Sequence, residues 1–391
     1  MSNSTIPAEE FTDRRRRAVE AAKKRGLAAL LVVSRGGGTL DRYGDVFYLT
    51  NFYTHFPFIP DFEGNWSARA HTFLILPVDD IPQLLIDVPD DGRIRLEDGQ
   101  INYSDFVLDD TITALKRAKL DKARIGLVGA DVLTHRMTER LRTELPDLVL
   151  EPADDILGEL RKIKSPGEIA LMRRASEIGS RTIEAMLNAS VPGASHAEIV
   201  AAGLAHLVPA GGILYNSFMA SGRGGDPTRL AKSNFPTWGS PKRLQEGDWI
   251  RFGISGAVDG YMFDLARARP VGSVDKRQVF LFESAIDCIE ATLAAIRPGV
   301  TAGELGAAGL DKQQSLGFRI DGVFSAMGHG IGLGWDAPWL ARGVSTVIEP
   351  NMILCIERTI QQDGYLGDFE ETVLITPDGY ELLTNAVKRS W

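Results

Sequence analysis

Two glutamates in the C-terminal part of the chain have the types and spacing for acid–base or metal chemistry. Glu357 and Glu370 lie in two strand-like runs, Asn351 to Ile360 and Tyr365 to Thr376, separated by Gln361-Gln362-Asp363-Gly364. A hairpin whose turn is centred between Asp363 and Gly364 sets Glu357 directly opposite Glu370. Opposed side chains have Cβ atoms roughly 5 Å apart, so two acids there repel unless a cation, a proton or an arginine compensates. The apolar runs Met352 to Ile356 and Thr372 to Ile375 mark the strand pair as interior rather than solvent-facing.

Just upstream, Gly328-His329-Gly330-Ile331-Gly332 carries the only histidine after His206. Its glycines let the backbone pass close to whatever the imidazole touches. A second hairpin is legible in Asp248 to Gly256 and Tyr261 to Val271 around Val258-Asp259-Gly260. Centring its turn between Val258 and Asp259 sets Asp264 opposite Gly253, a rung with a single carboxylate.

These residues need a scaffold, and 391 residues are too many for one ordinary core. The spacing predicts an α/β N-terminal domain over 1–157 and an α+β C-terminal domain over 158–391. In the first, Ala8 to Arg25 reads as a helix, and Ala28 to Val33, Val46 to Thr50, Thr72 to Leu76 and Gln83 to Val88 as strands. Ile112 to Ala118 and Leu133 to Leu145 then read as helices, each followed by a strand, Ile125 to Val128 and Leu148 to Glu151. Ser165-Pro166-Gly167-Glu168 has an N-cap, a proline at N1 and a glutamate at N3, and opens the first helix of the second domain.

A net charge of −9 disfavours nucleic acid and anionic membrane as partners. No signal-peptide pattern opens the sequence and no apolar run is long enough for a membrane span, so a cytoplasmic protein is expected. Cys288 and Cys355 are isolated, which reads as two small core residues. His196 and His206 lack carboxylates at ligand spacing and read as structural. Ser221 to Lys242 reads as a solvated loop, or as the rim of an anion pocket. The segment 51–69 is dense in aromatics, including Trp66, and carries Arg69; it reads as a loop packed on its own domain or a dimer partner, or as a lid giving a pocket an apolar wall and one guanidinium.

Asp264, His329, Glu357 and Glu370, in that order and on those elements, resemble the metal centre of the pita-bread hydrolases, the family of methionine aminopeptidase, aminopeptidase P, prolidase and creatinase. Leu160 to Pro166, Gly247-Asp248, Gly260-Tyr261, Gly328 to Leu333 and Ile348-Glu349-Pro350 carry the resemblance further. It implies a creatinase-type N-terminal domain before a pita-bread catalytic domain. It also implies that the counterparts of Asp264 and Glu370 bridge two metals, with those of His329 and Glu357 on one of them.

The sequence departs from that pattern at three places. Gly253 stands at the family's first metal-binding aspartate, Asn234 near a histidine of its peptidases, and Asp336 at a second such histidine. What remains is a set for one divalent transition metal, Mn²⁺, Fe²⁺, Co²⁺ or Zn²⁺, or an empty site as in creatinase. Ser67-Ala68-Arg69-Ala70 resembles the place where creatinase presents an arginine to a neighbouring subunit's substrate, which implies a homodimer. Arg267, near Asp264, is a further candidate for a substrate carboxylate, or else a structural ion pair.

The resulting expectation is a creatinase-like hydrolase that cleaves a C–N bond of a small, polar, carboxylate-bearing non-peptide molecule. Glu357, Glu370 and Asp336 would handle protons, and Arg69, Asn234, Trp66 and Arg267 would hold substrate. The alternatives are an Xaa-Pro dipeptidase or aminopeptidase, a metal-assisted lyase with Asp336 as base, and an inactive binding module.

Overall fold

Hairpin turns and helix caps set most of the architecture. The computed structural model describes residues 6–37, 42–233, 237–240, 242–297, 299–320 and 325–391. It divides into two units, 6–161 and 162–391, so the boundary falls inside a helix at Arg161/Lys162 rather than at 157/158.

The N-terminal unit runs α1 (Ala8–Lys24), β1 (Ala29–Arg35), α2 (Gly44–Thr50), β2 (His71–Pro77), β3 (Gln83–Ile86), β4 (Gln100–Tyr103), α3 (Val107–Arg117), β5 (Arg124–Val128), α4 (His135–Glu144), β6 (Val149–Pro152) and α5 (Asp154–Lys162). Its sheet has the order β4-β3-β2-β1-β5-β6, with β1 antiparallel to β2 and parallel to β5. β1 and β2 are buried on both faces, which accounts for their unbroken apolar runs. Leu31, Val33, Phe73 and Ile75 pack with Leu108 and Ile112 of α3 and with Met137 and Leu141 of α4.

Val46 to Thr50 is helical, not a strand. The side chains of Val46, Tyr48, Leu49 and Thr50 are all buried, Thr50 Oγ1 donates back to the Val46 carbonyl at 2.7 Å, and Asn51 closes the turn at φ 58°. Tertiary burial overrides the β preference of those residue types.

The C-terminal unit opens with α6 (Pro166–Ala189), whose capping box pairs Ser165 with Glu168 as the sequence predicts, and α7 (His196–Leu207). It continues through β7 (Gly212–Arg223), β8 (Asp226–Ser233), β9 (Asp248–Val258), β10 (Tyr261–Val271), α8 (Lys276–Ala294), α9 (Ala302–Ser315), β11 (Gly328–Ile331), β12 (Trp335–Trp339), β13 (Ile353–Gln362), β14 (Tyr365–Thr376) and β15 (Gly379–Leu382). Among the described residues one sheet has the order β10-β9-β7-β8 and the other β12-β11-β13-β14-β15.

Each sheet is covered by helices on one face. Ile250, Phe252 and Ile254 of β9 and Phe263 and Leu265 of β10 pack with Ile183 and Met186 of α6 and Ile199 of α7. Leu354, Ile356 and Ile360 of β13 and Phe369 and Val373 of β14 pack with α8 and α9. Strand periodicity sends the alternate residues to the opposite face. Those alternates are Arg251, Gly253 and Ser255 on β9, Asp264 on β10, Cys355, Glu357 and Thr359 on β13, and Asp368 and Glu370 on β14. The two sheets are joined where β10 meets β14: Thr372 Oγ1 donates to the Asp264 carbonyl at 2.9 Å, and Arg267 Nη1 to the Glu370 carbonyl at 2.7 Å.

The segment from Ser221 to Lys242 is largely the β7–β8 hairpin, not a free loop. Its cations serve the fold: Arg229 pairs with the buried Asp248 at 2.5 Å, and Lys242 Nζ donates to the Thr228 and Leu230 carbonyls at 2.6 Å each. No helix among the described residues is long and apolar enough to cross a membrane.

Candidate metal centre

Both hairpins turn on an Asp-Gly pair with positive φ at both residues, 51° and 85° at Asp259-Gly260 and 52° and 80° at Asp363-Gly364. That is the two-residue turn whose twist suits antiparallel strands. In the second hairpin the predicted register holds, and Glu357 faces Glu370. In the first, the turn centre lies one residue later than expected. Asp264 therefore faces Ser255, and Gly253 faces Ala266. Gly253 stays on the site face, one rung along from Asp264.

β11 brings the histidine in between β12 and β13. Gly328 adopts φ 137°, and a Cβ there would collide with the Cys355 carbonyl, so the glycine permits the close strand approach. His329 Nδ1 is 2.9 Å from the Gly330 carbonyl and takes the role of donor to it. The Nε2 lone pair is then left facing Glu357 Oε1 at 3.7 Å and Asp264 Oδ2 at 4.0 Å. Trp335 and Trp339 flank the ring at centroid distances of 6.0 and 5.3 Å.

Burial and mutual repulsion govern the acids. Desolvation pushes Asp264 up to about 7, although Trp335 Nε1 donates to its Oδ2 at 2.5 Å. Burial, then the charges of Asp264 and Asp368, push Glu357 up to about 8. Glu370 is raised well above the ordinary carboxylate range by burial, then by Asp264 and Glu357. Burial lowers the His329 pKa, which keeps the imidazole neutral. Glu370 Oε1 is buried without a partner among the described residues. A neutral imidazole lone pair, three carboxylates that resist ionising together and an orphaned carboxylate oxygen fit a divalent cation, which would reverse these shifts.

Cys355 belongs to the same cluster. One ligand atom from each of His329, Cys355 and Glu370 can be chosen so that all lie within 4.8 Å of one another. The cysteine reads from sequence as a core residue. Its place two residues before Glu357 on a strand is the signal that puts it on the site face. Its thiol is pushed well up by burial and by the surrounding carboxylates.

The other candidates divide. Asp336 faces Gly330 across β12 and β11, with Lys164 Nζ 3.9 Å from its Oδ2. Arg267 is not a substrate ligand. It is three residues from Asp264, so it points to the helix-covered face, where it is fully buried against both Glu371 oxygens (3.0 and 3.1 Å) and the Ala386 carbonyl (2.8 Å). Arg69 pairs with Asp105, donates to the Asp87 carbonyl at 2.8 Å and sits over the Phe56 ring, all inside the N-terminal unit. Trp66 Nε1 donates to the Pro60 carbonyl at 3.0 Å and packs edge-on to Phe62. Asn234 lies outside the described residues. His196 is a buried structural histidine held by Ser233 and Ser221 at 2.7 and 3.0 Å.

Residues 14–163 match the creatinase/prolidase N-terminal domain, and residues 170–377 match metallopeptidase family M24. The chain is 28% identical to the Xaa-Pro dipeptidase of Pyrococcus furiosus, over 66% of its length and 73% of the relative's. It is also 28% identical to the agropine synthesis cyclase of Rhizobium rhizogenes, over 66% and 69%. The structure of dipeptidase PepE from Mycobacterium ulcerans superposes with a TM-score of 0.78 at 22% identity, covering 98% of each chain. With its N-terminal creatinase-type domain and its pita-bread catalytic domain, the chain belongs to metallopeptidase family M24.

Proposed function

We infer that the protein is a metal-dependent hydrolase of the Xaa-Pro dipeptidase type, cleaving the C–N bond before a proline. The observation that carries this reading is the convergence of Asp264 and Glu357 on His329 Nε2, with Glu370 opposite Glu357 in the same cluster, in a chain whose relatives include an Xaa-Pro dipeptidase. A divalent ion held by these four residues would polarise the scissile carbonyl and lower the pKa of a water.

The protein's own groups divide the remaining work. Asp264 and Glu370 are enclosed, with Asp264 oriented by Trp335. Glu357 has 27% of its side chain exposed and is the acid of the cluster that meets solvent, so it is assigned the proton from the attacking water and its return to the leaving nitrogen. Asp336, with Lys164 Nζ 3.9 Å from its Oδ2, is assigned the substrate's polar end.

A second reading keeps the hydrolysis but takes a small carboxylate-bearing non-peptide substrate. Gly253 and Asp336 favour it, since they stand where the resemblance places a metal-binding aspartate and a histidine of the peptidases. A relative named for a cyclase, not a peptidase, is consistent with it.

Purified protein should be assayed with Mn²⁺ or Co²⁺ against Xaa-Pro dipeptides and against amidino, ureido and cyclic amide compounds. Dipeptide cleavage that chelation abolishes and metal restores supports the first reading. Turnover confined to the non-peptide panel supports the second. Metal-loaded protein that turns over neither set overturns both.

A further inference from the structure

One rung along from the acid cluster, the same face carries an ion pair. Arg251 precedes Gly253 on β9, and Asp368 precedes Glu370 on β14. Arg251 Nη1 lies 2.9 Å from Asp368 Oδ2, while Thr359 Oγ1 donates to Asp368 Oδ1 at 2.6 Å. Both oxygens of this buried carboxylate are therefore held, and the guanidinium is fixed by a partner that cannot turn away.

Between this pair and Asp264 stands Gly253, and its backbone does not require glycine. A Cβ there would meet the Ala266 Cβ at 3.8 Å and Arg251 Nη1 at 4.0 Å, both ordinary contacts. Position 253 thus has room to begin a side chain, and the space that side chain would grow into holds the guanidinium. Arg251 Nε is itself buried with no partner among the described residues, and 24% of the side chain as a whole is exposed, so the charge is partly enclosed.

We propose that the Arg251 guanidinium is the resident cation of the Gly253 end of the pocket, and that it limits the site to one divalent ion held by Asp264, His329, Glu357 and Glu370. The proposal rests on the metal-dependent reading above and deepens it. Four carboxylates, counting Asp368, are nearly balanced by one divalent ion and one guanidinium. A second ion would have to sit against that guanidinium with no carboxylate at 253 between them, and like charges in contact in a partly enclosed pocket repel each other.

The test is metal content and magnetic coupling, neither of which depends on turnover. Wild type loaded with Mn²⁺ and dialysed should retain one ion per chain by elemental analysis and give the resonance spectrum of an isolated Mn²⁺. The G253D variant should also retain one, its new carboxylate being neutralised by Arg251. The R251Q/G253D variant, which removes the guanidinium and supplies a ligand, should retain two ions with an exchange-coupled spectrum. R251K/G253D, which keeps the charge, should stay at one. Two ions in the wild type or in G253D, or one in a folded R251Q/G253D, overturns this proposal and leaves the hydrolase reading intact. No ion in the wild type overturns the metal-dependent reading and this proposal with it.

Discussion

Glu357 and Glu370 face each other across β13 and β14 in a buried cluster with Asp264, and the folded protein therefore holds protons that the unfolded chain releases. In the metal-free protein Asp264 is raised from 3.8 to about 7 and Glu357 from 4.5 to about 8. A raised folded pKa contributes stability that is fully present below the unfolded values and lost as pH rises through the folded ones. Chelated protein should show a melting temperature that falls between about pH 4 and pH 8, with the fall removed by saturating Mn²⁺. A flat profile for the chelated protein would refute this.

Replacing one acid of the pair should separate the metal-free from the metal-bound state. Glu370→Gln removes a charge that the apo cluster cannot accommodate, so the chelated variant should melt higher than chelated wild type at pH 8. The same change removes a ligand and should weaken Mn²⁺ binding by more than about 10-fold. Calorimetric titration and thermal melts on the same preparations read both effects, and the opposite signs are the signature.

How much of this was legible in the sequence depends on the element. The Glu357–Glu370 rung was, because Asp363-Gly364 specifies its own turn. The Asp264 rung was misplaced by centring on Val258-Asp259 when Asp259-Gly260 is the pair that tolerates positive φ at both positions. That shift hid the order of Ser255, Gly253 and Arg251 along the site. Strand parity alone would have put Arg267 on the far face and Cys355 on the near one. The meeting of β10 with β14, which carries Arg251 to Asp368, joins two sheets far apart in sequence and has no local signature.

Trp335 donates a side-chain hydrogen bond to Asp264, from Nε1 to Oδ2 at 2.5 Å. Trp335→Phe keeps the ring beside His329 and deletes the donor. A hydrogen bond to a charged group contributes about 1.5–3 kcal/mol, so metal affinity should fall roughly 10- to 100-fold. The chelated protein should melt within a few degrees of wild type. Unchanged affinity in the titration would show that the indole does not orient the carboxylate.

Arg267 belongs to stability rather than to substrate. Arg267→Met leaves Glu371 buried with Lys388 Nζ at 3.5 Å and Thr384 as its remaining partners, and breaking such a pair costs about 3–5 kcal/mol. Urea unfolding should show that loss, and Arg267→Met/Glu371→Gln should recover part of it by removing the stranded charge. If the single variant unfolds at the wild-type midpoint, the ion pair is not holding the β10–β14 seam.

Asp336 separates the proposed chemistry from metal binding alone, because its assigned role is to orient substrate and not to hold the ion. It lies on β12 opposite Gly330, outside the carboxylates that face His329 Nε2, and Lys164 is its neighbour at 3.9 Å. Asp336→Asn keeps the shape of the side chain and removes its charge and basicity. Loss of a positioned proton-transfer or substrate-orienting group lowers turnover by about 10²- to 10⁴-fold, so kcat should fall by at least about 100-fold. Mn²⁺ content should remain at the wild-type value, because the residue is not a ligand. Asp336→Glu should recover part of the rate if the carboxylate itself acts. A variant that loses metal and activity together would move Asp336 into the ligand set, and one that keeps full kcat would remove it from the chemistry.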